Sequence, residues 1–547
     1  MKNLILLATI FALTANLQAQ TTINLVKDIN PSGDSKPAGL ININNTLYFA
    51  ADNGTKGVEP WISDGTTAGT QLLKNINVSS SDSDPAYFKE LNGKVYFSSK
   101  QIPYGRELWV TDGTETGTVM LKDIYPGTEN SSGTGTSSRG FNKFNGKLYF
   151  SADNGINGDE LWVTDGTAAG TLMLKDINPG INNSLPGYKS QGFHEYNGKL
   201  YFAAYDVTHG YELWVTDGTA AGTLMVKDIN PGSHYDGIGS SSLSPFYEYN
   251  DKLYFAANDG THGYELWVSD GTTAGTIMVK DINPGSDGSI SVPFFKTYNG
   301  KLFFRADDGT HGEELWVTDG TTAGTQLVKD INIGYESVPG NFTNGFHEYN
   351  GKLYFSAYTT ETHFWVTDGT EAGTVMVKNI IPYRSPTTYN GKMYFSASDG
   401  TNGFELWESD GTTAGTIKIQ PAISSASNPL KENPYFTELN GSLYFVANFD
   451  GNGAELWKLT TSGLGVADEQ TQKSIQFYPN PVKDILHLSA EENINQIQVL
   501  DMSGKVVYQN KFNQSKINID LSHLKQAVYL VQITTQNQTS TIKILKN

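Results

Sequence analysis

All nine tryptophans of the 547-residue chain stand in one recurring context. They are Trp61, Trp109, Trp162, Trp214, Trp267, Trp316, Trp365, Trp407 and Trp457, between 42 and 53 residues apart. The fullest copy reads Glu212-Leu213-Trp214-Val215-Thr216-Asp217-Gly218-Thr219. Asp-Gly-Thr starts three residues after Trp in eight copies, and Thr460-Thr461-Ser462 replaces it in the ninth. Glu stands two before Trp in eight copies, His363 in the other. Self-similarity at such a period is the mark of a propeller, solenoid or array, because each unit is one supersecondary element that needs its neighbours to bury its apolar faces.

Each unit reads as four short strands. In residues 193–229, Phe193 to Tyr196 lead into Asn197-Gly198, a hairpin signal because both central positions of a type I′ turn need positive φ. Residues 199–204 form a second strand and 211–216 the Trp strand, the two joined by a loop ending at Gly210. The loop 217–223 offers Asp and Gly for turn formation, residues 224–229 close the unit, and Asn230-Pro231-Gly232 ends it. No segment has helical period, and both faces of the strands are apolar, so each sheet must lie between two others. Four-stranded sheets repeated radially make a β-propeller.

The ends of the repeat region sharpen this expectation. Residues 23–29 match a fourth strand but precede any Trp strand, whereas Glu455-Leu456-Trp457 has no fourth strand after it. Pairing the two leftovers closes a ring of nine four-stranded blades and removes the exposed end sheets. An open solenoid would need polar capping repeats, and neither end is polar.

At these residues the repeat resembles the secreted bacterial proteins that carry the ELWxxDGT repeat, over residues 20–460. That resemblance implies the architecture and no established activity.

Residues 1–19 read as a secretory signal peptide: Lys2, an apolar run over 4–13 and Ala19 before the cleavage point, too short to span a bilayer. No other stretch approaches transmembrane length. The chain has no cysteine, which removes disulfides, thiolate nucleophiles and Cys-ligated metals. Its net charge of −19 excludes nucleic acid and anionic membranes as natural partners.

After a linker at 461–473 the composition shifts, with seven Lys against five acids in residues 474–547. Alternating segments at 485–488, 497–500, 505–509, 517–519 and 528–533 predict short strands of a small Ig-like β-sandwich. Tyr478-Pro479-Asn480-Pro481 opens the tail, Asp501-Met502-Ser503-Gly504-Lys505 lies centrally, and Val528-Tyr529-Leu530-Val531 lies near its end. In that order they resemble the type A C-terminal sorting domain of the type IX secretion system, with Ala527 where that family usually has Gly. The resemblance implies export across both membranes of a Gram-negative bacterium, handling by the type IX machinery through residues 474–547, and release or surface attachment. An accessory binding module is the alternative for this tail.

The recurring residues read as architecture. One Trp per repeat suits blade packing better than a sugar platform, and the repeated Glu is expected to meet a Lys or a turn amide. Asp-Gly loops between second and third strands, among them those with Asp259, Asp308 and Asp399, group oxygens in a way that suits Ca²⁺, yet they lack the spaced acids of an EF-hand and Asx turns alone account for them. His194, His347, His209, His262 and His311 occupy recurring slots and are expected at turns or edges. No cofactor is implied, and no nucleophile elbow, His-Glu-x-x-His, phosphate loop or dinucleotide fingerprint occurs.

Function is therefore expected where the repeat varies. The second-to-third loops and the connections between blades emerge on one rim, and the connections vary most, at 77–87, 125–142, 230–245 and 333–344. Variable loops on a rigid scaffold are where binding concentrates. The chain has four Arg, and Arg139, Arg305 and Arg384 are ligand candidates as residues that break the repeat. The leading expectation is a non-enzymatic secreted or surface propeller that binds an extracellular glycan or protein. A polysaccharide-degrading enzyme, with paired non-repeated carboxylates in the channel, and a structural surface-layer component are the alternatives.

Overall fold

The computed structural model describes residues 21–78, 80–126, 140–185, 192–231, 244–291, 294–333, 345–359, 361–383, 386–421, 426–430, 433–461, 476–478, 482–501, 505–535 and 539–546. The expected signal peptide, most of the linker, most of the expected connections at 125–142, 230–245 and 333–344, Arg139, Arg384, Pro479, Asn480, Pro481 and residues 502–504 lie outside these residues. Two compact units are present, Ile23–Thr460 and one carrying the chain from Thr461 onward. Every regular element among the described residues is a β-strand.

In the first unit the strands fall into nine antiparallel sheets, eight of them built from consecutive strands. One representative sheet comprises His194–Tyr196, Lys199–Asp206, Gly210–Thr216 and Leu224–Lys227 in that spatial order. The hairpin between the first two strands is an Asn-led pair with positive φ at both positions in all nine, including Asn44–Asn45 and Asn250–Asp251, where Gly is replaced. Only small or Asx residues take that conformation without clash.

The ninth sheet is made from both ends of the region. Its order is Thr21–Lys27, Glu455–Thr461, Ser442–Ala447, Thr437–Leu439, so the N-terminal strand serves as the fourth strand of the last repeat. Nine apolar clusters then link the sheets in succession. Leu213 and Val215 of one sheet pack against Phe255 and Trp267 of the next, and this pattern continues round to Tyr394 and Leu406 against Phe445 and Trp457. The closing sheet in turn packs Leu439, Tyr444 and Leu456 on Phe49 and Trp61 of the first sheet. All nine Trp are buried. The architecture is all-β and propeller-like, with no sheet of the unit left without a neighbour.

The first strands run against one another from sheet to sheet. Thr437 Oγ1 donates to Leu40 O at 3.2 Å, Asn42 Nδ2 to Glu438 O at 2.8 Å, and Lys143 pairs with Glu90 at 2.7 Å. In five sheets a Tyr hydroxyl at the end of the first strand staples the sheet to the hairpin of the next, as at Tyr249 to Gly300 O at 2.7 Å, Tyr298 to Gly351 O at 2.6 Å and Tyr349 to Gly391 O at 2.5 Å.

Two details depart from the sequence reading. The fourth strand stops at Lys227 and not at Ile229, since the Ile229 and Asn230 amides turn away to the Glu212 carboxylate. A β-bulge between Leu213 and Trp214 also shifts the register against the fourth strand, and it recurs at Trp109, Trp162, Trp267, Trp316 and Trp365.

The second unit contains one five-stranded antiparallel sheet. The strands expected at 485–488 and 497–500 are one strand, Ile485–Leu500, and those at 505–509 and 517–519 are one strand, Val506–Asp520. The polar stretch between Ser489 and Ile494 does not end the strand; it shifts the register there. Leu486 and Leu488 from one end and Ile497 and Val499 from the other share one core with Ile517, Tyr529, Val531 and Ile544.

Ile29 is buried in the cluster that joins the closing sheet to the first. Ile29→Ala is expected to lower the stability of this unit by roughly 2–5 kcal/mol, read from the midpoint of chemical denaturation at unchanged m-value.

Candidate functional site

The recurring geometry of the motif gives its Glu, Trp, Asp, Gly and Thr a structural task in repeat after repeat. The Glu side chain two before Trp is buried, and it accepts the two amides that end the fourth strand. Glu160 takes Ile177 N at 2.7 Å and Asn178 N at 3.3 Å, plus the Ser184 hydroxyl at 2.6 Å. The same pair of bonds forms at Glu59, Glu107, Glu212, Glu265 and Glu314. At Glu455 the amides belong to Ile29 and Asn30, more than 400 residues away in sequence. Glu405 instead meets Lys418 Nζ at 2.8 Å. Both expected partners, turn amide and Lys, therefore occur. His363 is buried in the remaining slot.

Burial pushes Glu59, Glu160, Glu265, Glu314 and Glu455 up to about 7 and Glu107 up to about 8, and the hydrogen bonds pull back only part of that rise. A raised carboxyl often marks a catalytic acid. Here it recurs in sheet after sheet, enclosed by backbone amides, and is a structural clamp.

The loop after Trp is equally consumed. Asp217 Oδ1 accepts Thr219 N at 2.8 Å and Thr219 Oγ1 at 2.7 Å, and Thr216 Oγ1 meets Thr223 Oγ1 at 2.8 Å. Gly271 has φ +89°, and a Cβ there would lie 2.3 Å from the Tyr201 hydroxyl of the preceding sheet. Lys227 reaches across to Thr276 O at 2.7 Å and lies 5.8 Å from the Trp267 ring. Lys27, Lys280 and Lys378 repeat this reach over Trp61, Trp316 and Trp407.

The calcium candidates have protein partners. Asp259 Oδ2 meets His262 Nδ1 at 2.8 Å while Oδ1 accepts the Thr261 and His262 amides, and Asp308 holds His311 in the same way. Asp399 accepts Thr401 N and Oγ1 and lies 3.6 Å from Lys418 Nζ. Among the described residues no three His, Asp or Glu side chains converge as a metal site. His194 and His347 stand on first strands, and burial pushes His347 down to about 4.

Arg305 is not on the rim surface. It is buried in the second strand Lys301–Asp307, 3.3 Å from Glu313, with Nη2 donating to Ser291 Oγ at 2.9 Å and the guanidinium 5.8 Å from the Phe294 ring.

The irregular rim carries two adjoining cavities at the seam where the ring of sheets meets its own beginning. The larger, about 490 Å³, is lined by Asp34, Lys36, Tyr383, Asn433 and Tyr435 over a floor of Val446 and Ala454. The second, about 370 Å³, shares Asp34, Val446 and Ala454 and adds Ser427, Asn428 and Asn448. These residues come from the segment preceding the first sheet, the connections before and after the eighth, and the closing sheet. Asp34 Oδ1 accepts Ala454 N at 3.1 Å and Lys36 N at 2.9 Å, which fixes the seam. Gly453 (φ +129°) lets the Asp34 backbone approach: a Cβ there would lie 2.5 Å from its Cα. Sequence reasoning missed this groove, because its parts are far apart in the chain. The available signal was Tyr435, which stands before Phe436 where four other repeats have Gly before an apolar residue.

The six raised Glu carboxyls, together with His209, His262 and His311, which their Asp partners hold above the ordinary value, outweigh the opposite contribution of His194 and His347, which burial lowers. The folded chain therefore binds more protons than the unfolded one from about pH 4.5 to about pH 8, and stability falls as pH rises through that window. The thermal midpoint is expected to be higher at about pH 5.5 than at about pH 8.5, measured by calorimetry at fixed ionic strength.

Residues 476–547 match the family model described as a secretion system C-terminal sorting domain. A sequence search of curated proteins returns no match. Among solved structures, PorZ, a surface component of the type IX secretion system of Porphyromonas gingivalis, aligns at 12% identity over 94% of this chain and 75% of its own, with TM-score 0.33. Puromycin hydrolase aligns at 13% identity over 77% and 60%, TM-score 0.35, and the propeller domain of the Trilobed protease from Pyrococcus furiosus at 10% over 62% and 98%, TM-score 0.29. Likenesses this distant add nothing to the sheets and clusters described above. Among the described residues no helix is long and apolar enough to cross a membrane. The C-terminal domain marks the chain as a type IX secretion substrate bound for the cell surface or the exterior.

Proposed function

We propose that residues 20–460 form a closed nine-bladed propeller that works, once a signal peptide at 1–19 and an Ig-like sorting domain at 474–547 have served export, as a non-enzymatic binder of an extracellular glycan or protein through its irregular rim. The observation that carries this reading is the complete structural use of the repeated motif. Glu clamps the fourth strand, Trp fills the interface between sheets, Asp and Thr close the turn, and Lys reaches to the next sheet. What is left to differ from blade to blade is the set of connections on one rim, and variable loops on a rigid frame are where recognition is built.

Removal of residues 474–547 is expected to leave the chain inside the outer membrane, seen by fractionation and immunoblotting, because no other part of the sequence resembles a type IX signal. Rim binding is tested by probing glycan arrays and extracellular proteins with the exported chain, then exchanging single rim connections between repeats. A ligand whose binding is lost on exchange at the rim, and kept on exchange of the Asn-Gly hairpins at the opposite end, is the expected result. No ligand at millimolar concentration, or turnover of a polysaccharide, overturns the reading.

A further inference from the structure

Six repeats place a residue of positive φ immediately before an apolar residue at or next to the start of the first strand: Gly39, Tyr87, Gly140, Gly192, Gly345 and Tyr435, with φ between +48° and +84°. Glycine is the unstrained choice for this backbone, and four of the six have it. A Tyr with φ > 0 is a strained outlier, and such strain persists where the surrounding structure over-determines it, often at ligand sites. The slot itself makes no demand for a ring, since a Cβ on Gly39 or Gly192 would meet nothing within 4 Å. Tyr87 lies against Gly140 of the next sheet. Tyr435 lines the larger seam cavity, and there Lys36, also left-handed at φ +47°, accompanies it.

The rest of the groove is chemically specific. Tyr383 lies 4.9 Å from the Phe404 ring at 42°, which holds its orientation. The side-chain carbonyls of Asn428, Asn433 and Asn448 accept backbone amides from Phe404, Tyr435 and Gly451. Their Nδ2 groups make no hydrogen bond among the described residues, and these three Asn belong to the lining of the two cavities together with Asp34 and Lys36. Aromatic faces beside amide donors and one carboxylate match a sugar, which presents a C–H face to a ring and hydroxyls to the polar groups.

We propose that the seam groove is an oligosaccharide-binding site, with one sugar ring against Tyr435 and Tyr383 and its hydroxyls taken by Asn428, Asn433, Asn448 and Asp34. This rests on the rim-binding reading and gives it a location and a ligand class. Lys36 and Asp34 come from the segment before the first sheet, Tyr383 from the approach to the eighth, and Tyr435 from the approach to the closing sheet. Ligand therefore bridges both sides of the seam and stabilises the closed ring by linkage.

The test uses the full chain and the oligosaccharide that an array of defined glycans identifies, with affinity by calorimetry and stability by thermal melting. Tyr435→Gly relieves the backbone but gives up the ring's packing on the cluster between the closing and first sheets, so it is expected to fold with only a modest change in melting temperature and yet to lose about tenfold or more in affinity, as removal of an aromatic anchor does. Tyr87→Gly, the same change in the same slot of another repeat, is expected to leave affinity unchanged. Glycan at one fixed saturating concentration is expected to raise the melting temperature of the native chain by more than that of Tyr435→Gly. Equal affinity after Tyr435→Gly overturns the seam site while rim binding stands. An array with no bound glycan overturns the seam site too, and rim binding then stands or falls on whether a protein ligand is lost on exchange of rim connections.

Discussion

A sheet that is apolar on both faces cannot end a stack. Everything in the repeat region follows from this one constraint: with Trp on one face and Leu and Val on the other, each sheet needs two neighbours. Nine sheets joined by nine clusters satisfy it only if the last packs on the first, as Trp61 and Phe49 do on Leu439 and Leu456. The N-terminal strand Thr21–Lys27 completes the ninth sheet beside Glu455–Thr461, so this sheet depends on strands from the two ends of the repeat region. In a chain with no cysteine, this non-covalent join takes the place that a disulfide would hold in many exported proteins.

The buried Glu shows how one side chain sets the limits of an element. By capturing two successive amides it ends the fourth strand and starts the connection to the next sheet. A carboxylate so placed carries a desolvation cost, which is why its proton affinity rises. The cost is tolerated since the alternative is two buried amides without partners. Glu455 performs the same task on Ile29 and Asn30. The repeat motif thereby treats the two chain ends as if they were consecutive.

The four-strand unit, the Asn-Gly hairpins and the pairing of leftover strands were legible because each rests on local chemistry or on counting. Strand ends and the bulge at Trp were not, since they are fixed by hydrogen bonds across the sheet. In the tail, polar residues between Ser489 and Ile494 resemble a break although the strand runs through with a shift of register. Arg305 shows the limit of treating rarity as a functional signal. It breaks the repeat, yet Glu313 and Ser291 hold it inside the protein.

A better signal than rarity is a residue that the backbone disfavours. The repeat itself supplies the control: where Gly39, Gly140, Gly192 and Gly345 adopt left-handed φ without strain, Tyr435 adopts it with strain. Its ring is partly buried against the core of the closing sheet and borders a groove rich in amides. In a repeat protein the neighbouring units report what the fold requires at each position. Departures that strain the backbone where other repeats relax it with Gly are the ones to examine for function, and by that measure Tyr435, like Tyr87, stands apart from the motif residues, each of which the fold itself employs.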